Sequence, residues 1–333
     1  MVDAINRCYK EAMARDVRIC LFGEDVASGR PEILGRLPGK GGVFGVTQGL
    51  QELYGDRVHN TQLAESYIVG SACGKALRGL IPIGEIQFGD FVWDAMAQIK
   101  KEIATMCWRT AGKWAPHMVV YVPVGYVHGG SIWHSEDVSS IFTHITGLRI
   151  PYPSNAADAV GLMNTALFHC QDPVLFCAHK GLYQAIASRA PYPGEGYTVP
   201  FGCANILRDG THCTIVTWGA MVHTSLGAAE ALAAEDISVE VIDLRTIAPV
   251  DWEAIAQSVE KTGHLVIVHE DTLTSGFGAE LAARAAQDLF WALDGPIQRV
   301  ASVDAYVPYD PKLVSAYLPG IEDICRAVRS AMA

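Results

Sequence analysis

Short, unbroken apolar runs alternate with segments of helical period along the first half of the chain. VRICLFGED (17–25), LIPIGEIQF (80–88), MVVYVPV (118–124), LRIPYP (148–153) and PVLFCAH (173–179) predict strands, and a shorter strand-like run spans Arg57 to Asn60. Helical patterns lie between them at 66–78, 92–109, 136–144 and 155–170. Runs that are apolar at every position, not every second one, suit strands covered on both faces, as in a parallel sheet wound by helices. The stretch 183–202 loses this rhythm; it holds three prolines and four aromatics and reads as a linker. A second alternating series follows: CTIVTWG (213–219), a helix over 221–234, ISVEVIDLR (237–245), a helix over 251–261, HLVIVHED (264–271) and a helix over 277–291. The pattern predicts an α/β protein of two doubly wound domains, 1–182 and 203–333, joined by 183–202, with no internal repeat.

Length agrees: 333 residues exceed one ordinary core. Half the residues are hydrophobic and 18% are charged, which fits doubly covered sheets or a subunit that hides surface in an oligomer. The formal net charge of −11 argues against a nucleic-acid partner, which would select a basic face. The nine cysteines are scattered without a Cys-x-x-Cys pair, as small core residues of a reducing cytoplasm would be. The opening MVDAINRCYKEAMARD is an amphipathic helix, not a secretory signal, and no apolar run approaches the roughly 20 residues that span a bilayer. A cytoplasmic protein without a membrane partner is expected.

Ligands in open α/β sheets sit beyond the carboxyl ends of strands. Three polar stretches are expected there. The Gly-rich loop 23–49 matches neither a Walker loop nor a dinucleotide fingerprint, and loops of that length are commonly lids or interface arms. EIQFGDFVWDAM (85–96) gathers Glu85, Gln87 and Asp90 around Phe88, Phe91 and Trp93, residues that equally suit a core. VGYVHGGSIWHSEDVSSIFTH (124–144) carries His128, His134 and His144; a histidine beside Ser-Glu-Asp is equally a helix-end residue, with Ser135 as the cap. No His-x-x-x-His or Gly-x-Ser-x-Gly occurs, so neither zinc nor a serine nucleophile is indicated. One further residue stands out. Glu65 enters a helix of small and apolar residues, HNTQLAESYIVGSACG (59–74), where an unpaired carboxylate is costly, and so demands a partner.

The runs LFGEDV, NTQLAESYIVGSACGKALRGLIPIGEIQF, GGSIWHSED with FTHITGLRIPYPSNAADAVGLM, VEVIDLRTIAPVDWEAI and HEDTLTSGFGAEL, in that order, resemble the β subunit of the 2-oxo acid dehydrogenase first component. That family includes the pyruvate, branched-chain 2-oxo acid and acetoin enzymes. The resemblance extends from about Val2 to Met332. It implies a thiamine-diphosphate pyrimidine-binding domain followed by a transketolase C-terminal-like domain, and oxidative decarboxylation of a 2-oxo acid with acyl transfer to lipoamide.

The resemblance also supplies Glu65 with a partner: a ring nitrogen of the cofactor's aminopyrimidine, where a shared proton favours the imino form that acts as base on the thiazolium carbon. A carboxyl group suits the role because a semi-buried site strengthens its proton donation. Phe91 falls where the family stacks an aromatic ring on the pyrimidine, and Gln87 and Leu63 where it lines that ring. His134 matches the loop histidine proposed to transfer a proton during acylation of lipoamide; Glu136 stands where the family's usual text has glutamine. A potassium site is possible, but the matching loop LFHCQDPV (167–174) has Cys170 for an aspartate and Asp172 for an asparagine, so no metal ligand is assigned. The Gly-Asp-Gly motif that holds magnesium and the diphosphate is absent from the chain. An α subunit is therefore expected to hold the magnesium, as two α with two β in a heterotetramer bound to a lipoyl acyltransferase core. A chain that opens directly in its first helix is also compatible with one half of an α–β fusion. The competing readings are a ketol-transferring half resembling transketolase or deoxyxylulose-phosphate synthase, and a non-catalytic scaffold; GFGAEL and HSED favour the dehydrogenase over the first, Glu65, Phe91 and His134 over the second.

Overall fold

The computed structural model describes residues 1–28 and 41–333. The middle of the Gly-rich loop, residues 29–40, lies outside the described residues. The first sheet is five-stranded and wholly parallel, in the order β2-β1-β3-β4-β6, with β1 Ile19–Gly23, β2 Val58–Asn60, β3 Ile81–Glu85, β4 Val119–Val124 and β6 Val174–His179. Every residue of β1, β3, β4 and β6 is buried, which is why these runs are apolar throughout. Successive side chains pack on opposite faces. Ile19 and Leu21 join a core with the helices Val2–Arg15 and Ala156–Phe168, whereas Cys20 and Phe22 join one with the helix Glu65–Leu77.

The second sheet runs β12-β11-β8-β9-β7, with β7 Asn205–Arg208, β8 Cys213–Thr217, β9 Val239–Asp243, β11 Leu265–Thr272 and β12 Gln298–Ser302. Its strands are parallel except β7, which pairs antiparallel with β9 at the edge. The helices Met221–Ala233 and Ile321–Ala331 cover one face. The other face shares a continuous core with the first sheet, from Val120 and Val122 through Tyr152 to Ile242 and Ile267.

Several expectations change in register. LRIPYP does not enter the first sheet as a full strand. Only β5, Ile150–Pro151, is extended, and it pairs antiparallel with β10, Thr246–Ala248, across the two halves. Arg149 touches β6 through a single bridge to Val174 before the chain turns toward β10. The helix expected over 92–109 is instead a 3₁₀ segment Gly89–Ala95, a π turn Gln98–Ile103 and a short α turn Met106–Arg109. Ile99 and Ile103, four apart on the π turn, both join the core that holds Val92 and Ala95. The helix expected over 136–144 is two short ones, Ser131–His134 and Ser139–Thr143. β7, β10 and β12 were not foreseen, nor were the helices Pro311–Tyr317 and Ile321–Ala331.

Polar contacts also join the halves. Arg245 carbonyl oxygen accepts from Tyr152 N–H at 2.8 Å, and the Arg245 guanidinium meets Asp158 at 3.3 Å. Ser154 Oγ donates to Asp243 at 2.5 Å, a carboxyl that burial pushes up to about 7. Among the described residues no helix is long and apolar enough to cross a membrane.

Candidate functional site

Segments beyond the carboxyl ends of β1, β2, β3, β4 and β6 supply Glu24, Glu65, Gln87 to Phe91, residues 125–136 and Lys180. This edge of a parallel sheet is where side chains from separate crossovers can meet a ligand. Glu65 is the first residue of its helix, half-buried, and its carboxylate has no hydrogen-bond partner among the described residues. The helix N-terminus favours negative charge there. Glu24 lies close enough for the two carboxylates to repel. Burial first, then Asp25 and Glu65, push the Glu24 carboxyl up. Gln87 is buried and donates its side-chain amide to the Glu24 carbonyl oxygen at 3.1 Å. Leu63 stands 74% exposed, on the turn leading into the helix.

The Gly89–Ala95 segment packs between the helix of Glu65 and the helix of His134. Phe91 and Phe88 meet edge to face at 5.8 Å between centroids. His134 lies over this pair, 4.3 Å from Phe88 and 5.7 Å from Phe91. Asp90 Oδ1 accepts from the amides of Ser135 and Glu136 at 3.1 and 3.2 Å, tying the histidine loop to the aromatic turn. Ser135 does not cap the following helix. Its Oγ accepts from Val127 N–H and donates to the Val127 carbonyl, closing the loop upon itself.

Behind these residues lies a dense set of buried charges that sequence reasoning missed. Lys180 is 3% exposed, donates to the Pro123 carbonyl at 3.2 Å and sits 4.0 Å from Asp90. Burial lowers its pKa to about 8 against the pull of Asp90, Glu270, Asp137 and Glu136. His179 bonds Glu270 of the second sheet at 2.7 Å, both buried. Burial raises Glu136 and Asp137, and it takes Asp271 up to about 7. Lys180 was detectable in the sequence, since it directly follows the buried strand VLFCAH. Glu270 stood in a recognised stretch, HEDTLTSGFGAEL, but nothing in a linear pattern shows that it reaches the first domain.

The structure thus gathers Phe91 with His134, and Gln87 with Glu24 beside Glu65; His128 and His144 take no part. A half-buried carboxylate without a hydrogen-bond partner among the described residues, on a helix that packs against the turn of Phe91, fits an aminopyrimidine, which offers a ring nitrogen to hydrogen-bond and a flat face to cover. The 167–174 loop fits a potassium ion less well. Arg149 engages Asp172 at 2.6 and 2.8 Å, and Cys170 offers a soft thiol where a hard cation prefers oxygen.

Comparison with known proteins agrees with this geometry. Residues 1–185 match the transketolase pyrimidine binding domain, and residues 202–324 the transketolase C-terminal domain. Among solved structures, a split gene transketolase described as an inactive β4 tetramer superposes with a TM-score of 0.77 at 20% identity, covering 99% of this chain and 97% of that one. The chain is 40% identical to the 2-oxoisovalerate dehydrogenase subunit beta of Bacillus subtilis, over 98% of its own length and 97% of the relative's. It is 39% identical to the acetoin:2,6-dichlorophenolindophenol oxidoreductase subunit beta of Cupriavidus necator, covering 99% and 96%. It is 36% identical to the pyruvate dehydrogenase E1 component subunit beta of Bacillus subtilis, covering 100% and 98%. These are transketolase-type domains, and the chain belongs to the family of β subunits of the 2-oxo acid dehydrogenase first component.

Proposed function

We propose that the chain is the β half of a thiamine-diphosphate-dependent 2-oxo acid dehydrogenase of the cytoplasm, completed by an α subunit in a complex of two α with two β that serves a lipoyl acyltransferase core. In this reading 1–182 is the pyrimidine-binding domain, 183–202 the linker and 203–333 the C-terminal domain. The observation that carries it is Glu65, a half-buried carboxylate with no hydrogen-bond partner among the described residues, at the carboxyl edge of the first sheet.

When bound, thiamine diphosphate supplies the nucleophilic carbon and the electron sink for decarboxylation. Glu65 holds a proton at the aminopyrimidine ring nitrogen, Phe91 covers the ring face, and Gln87 and Leu63 line its edge. Beside Glu65, burial first, then Asp25 and Glu65 itself, push the Glu24 carboxyl up. His134 hands a proton to the departing thiol when the acyl group moves to lipoamide. The α subunit holds the magnesium and the diphosphate. We propose no potassium ligand in the 167–174 loop, where Arg149 already neutralises Asp172.

Replacing Glu65 by glutamine in the α–β complex tests the reading. An amide keeps the shape but cannot share a proton with the ring nitrogen. Turnover of a 2-oxo acid with dichloroindophenol as acceptor is expected to fall at least about a hundredfold, the span of general acid–base catalysis, with an unchanged melting temperature. Near-normal turnover would sink the role given to Glu65.

A further inference from the structure

The second domain reaches into the first on the carboxyl edge through Glu270. Glu270, in β11, is 6% exposed and accepts two hydrogen bonds with its two oxygens. Oε1 accepts from the backbone N–H of Tyr126 at 2.5 Å, and Oε2 bonds His179 Nε2 at 2.7 Å. The His179 tautomer follows from its other nitrogen. Nδ1 accepts from the Gly181 amide at 3.1 Å, so Nε2 carries the hydrogen and donates to Glu270. Burial alone would push the Glu270 carboxyl up; His179, the Tyr126 amide and Lys180 outweigh it and hold the group below its ordinary value.

Tyr126 begins the loop that carries His134. The loop is closed at its base by Gly125 N–H donating to the Glu136 carbonyl at 2.9 Å. It is cross-tied by Ser135 to Val127, and Ser131 Oγ donates to the Val307 carbonyl of the second domain at 3.1 Å. Gly125 has φ +78°, and a Cβ there would run into His179 Nε2 and Glu270 Oε1, so the backbone is seated directly on this pair.

From this geometry we infer that Glu270 is a positioning residue: through Tyr126 and His179 it sets the loop that presents His134, so the second domain controls acyl transfer without touching the reacting atoms. The inference rests on the role given above to His134. An anion is required because both groups facing it are donors. A glutamine at this position has one acceptor oxygen, and its NH₂ must face either Tyr126 N–H or His179 Nε2–H. Turning the imidazole to the other tautomer only moves the conflict to the Gly181 amide.

The test uses the α–β complex with Glu270→Gln, His179→Leu, His179→Gln and His134→Ala. Two quantities are read: hydrogen exchange of residues 125–136, and the ratio of lipoamide acylation to dye-coupled decarboxylation. In Glu270→Gln, exchange of 125–136 is expected to rise while β4 and β6 stay protected, and the ratio to fall about tenfold to a hundredfold, as loss of a charged hydrogen bond allows. His179→Gln keeps a side-chain N–H and is expected to recover part of what His179→Leu loses. Wild-type exchange and ratio in Glu270→Gln would overturn the inference, as would exchange rising equally in β4 and β6, which marks a merely structural role. An unchanged ratio in His134→Ala would refute the role of His134 instead, and loop exchange would still decide whether Glu270 positions the loop.

Discussion

Burial pushes the carboxyl of Glu85 up to about 8, from an ordinary 4.5. It ends β3, is 5% exposed, and lies near Tyr9, Tyr121 and Tyr183, whose hydroxyls are pushed up first by burial and to a lesser extent by Glu85. The folded protein therefore keeps this group protonated where the unfolded chain ionises it. For a raised carboxyl the stability is complete below pH 4.5 and is lost as pH rises toward 8, because the folded state binds the extra proton across that window. Each pH unit inside it removes about 1.4 kcal/mol. Raising the pH from 6 to 7.5 should thus remove about 2 kcal/mol through Glu85 alone. For a 333-residue chain unfolding as one unit that is a fall in melting temperature of about 3 °C.

Glu85→Gln keeps the shape and cannot ionise. Melting curves of wild type and variant at pH 6, 6.75 and 7.5, all in one salt concentration, isolate the group as the difference between the two slopes. Asp243 and Asp271, each pushed by burial to about 7, slope the same way in both proteins and cancel in that difference. Parallel slopes would show that Glu85 ionises freely in the folded state and refute the reasoning.

Two further outcomes are expected. Asp251 caps the helix Trp252–Thr262 through the Ala254 amide at 3.2 Å and also accepts from the Ala204 amide at 2.8 Å, so Asp251→Ala should cost about 2 kcal/mol in denaturant unfolding; a change below about 0.5 kcal/mol would match an ordinary surface site instead. The chain without its α partner should bind thiamine diphosphate weakly, since it offers the pyrimidine half of the site, and micromolar, magnesium-dependent binding by calorimetry would contradict that division.

What the sequence disclosed depended on whether a residue's role is local. The parallel strands were legible because burial on both faces leaves an unbroken apolar run, as in VVYVPV and VLFCAH. β7 was not, because an edge strand half exposed to water, NILR, has no such run. The segment 92–109 carries enough apolar residues for a helix. Its ladder nevertheless departs from the α pattern, with Ala104 N–H reaching the Ile99 carbonyl, and no periodicity count registers an inserted residue.

The site divides along the same line. Glu65, Phe91 and His134 stood out because each lies in a distinctive run, yet their setting did not. Asp90 holds the amides of Ser135 and Glu136, Lys180 lies behind Asp90, and Glu270 arrives from a strand 91 residues beyond His179. Each of these is a buried charge that faces a group distant in sequence, which offsets part of the cost of burying it. A linear reading therefore meets first the residues that stand in distinctive local runs, as Glu65, Phe91 and His134 do. The groups that hold them in place emerge only when the two sheets are brought together. Glu270 belongs to this second kind. Its two oxygens are already committed to Tyr126 and His179, so its influence on the chemistry must pass through the loop it holds.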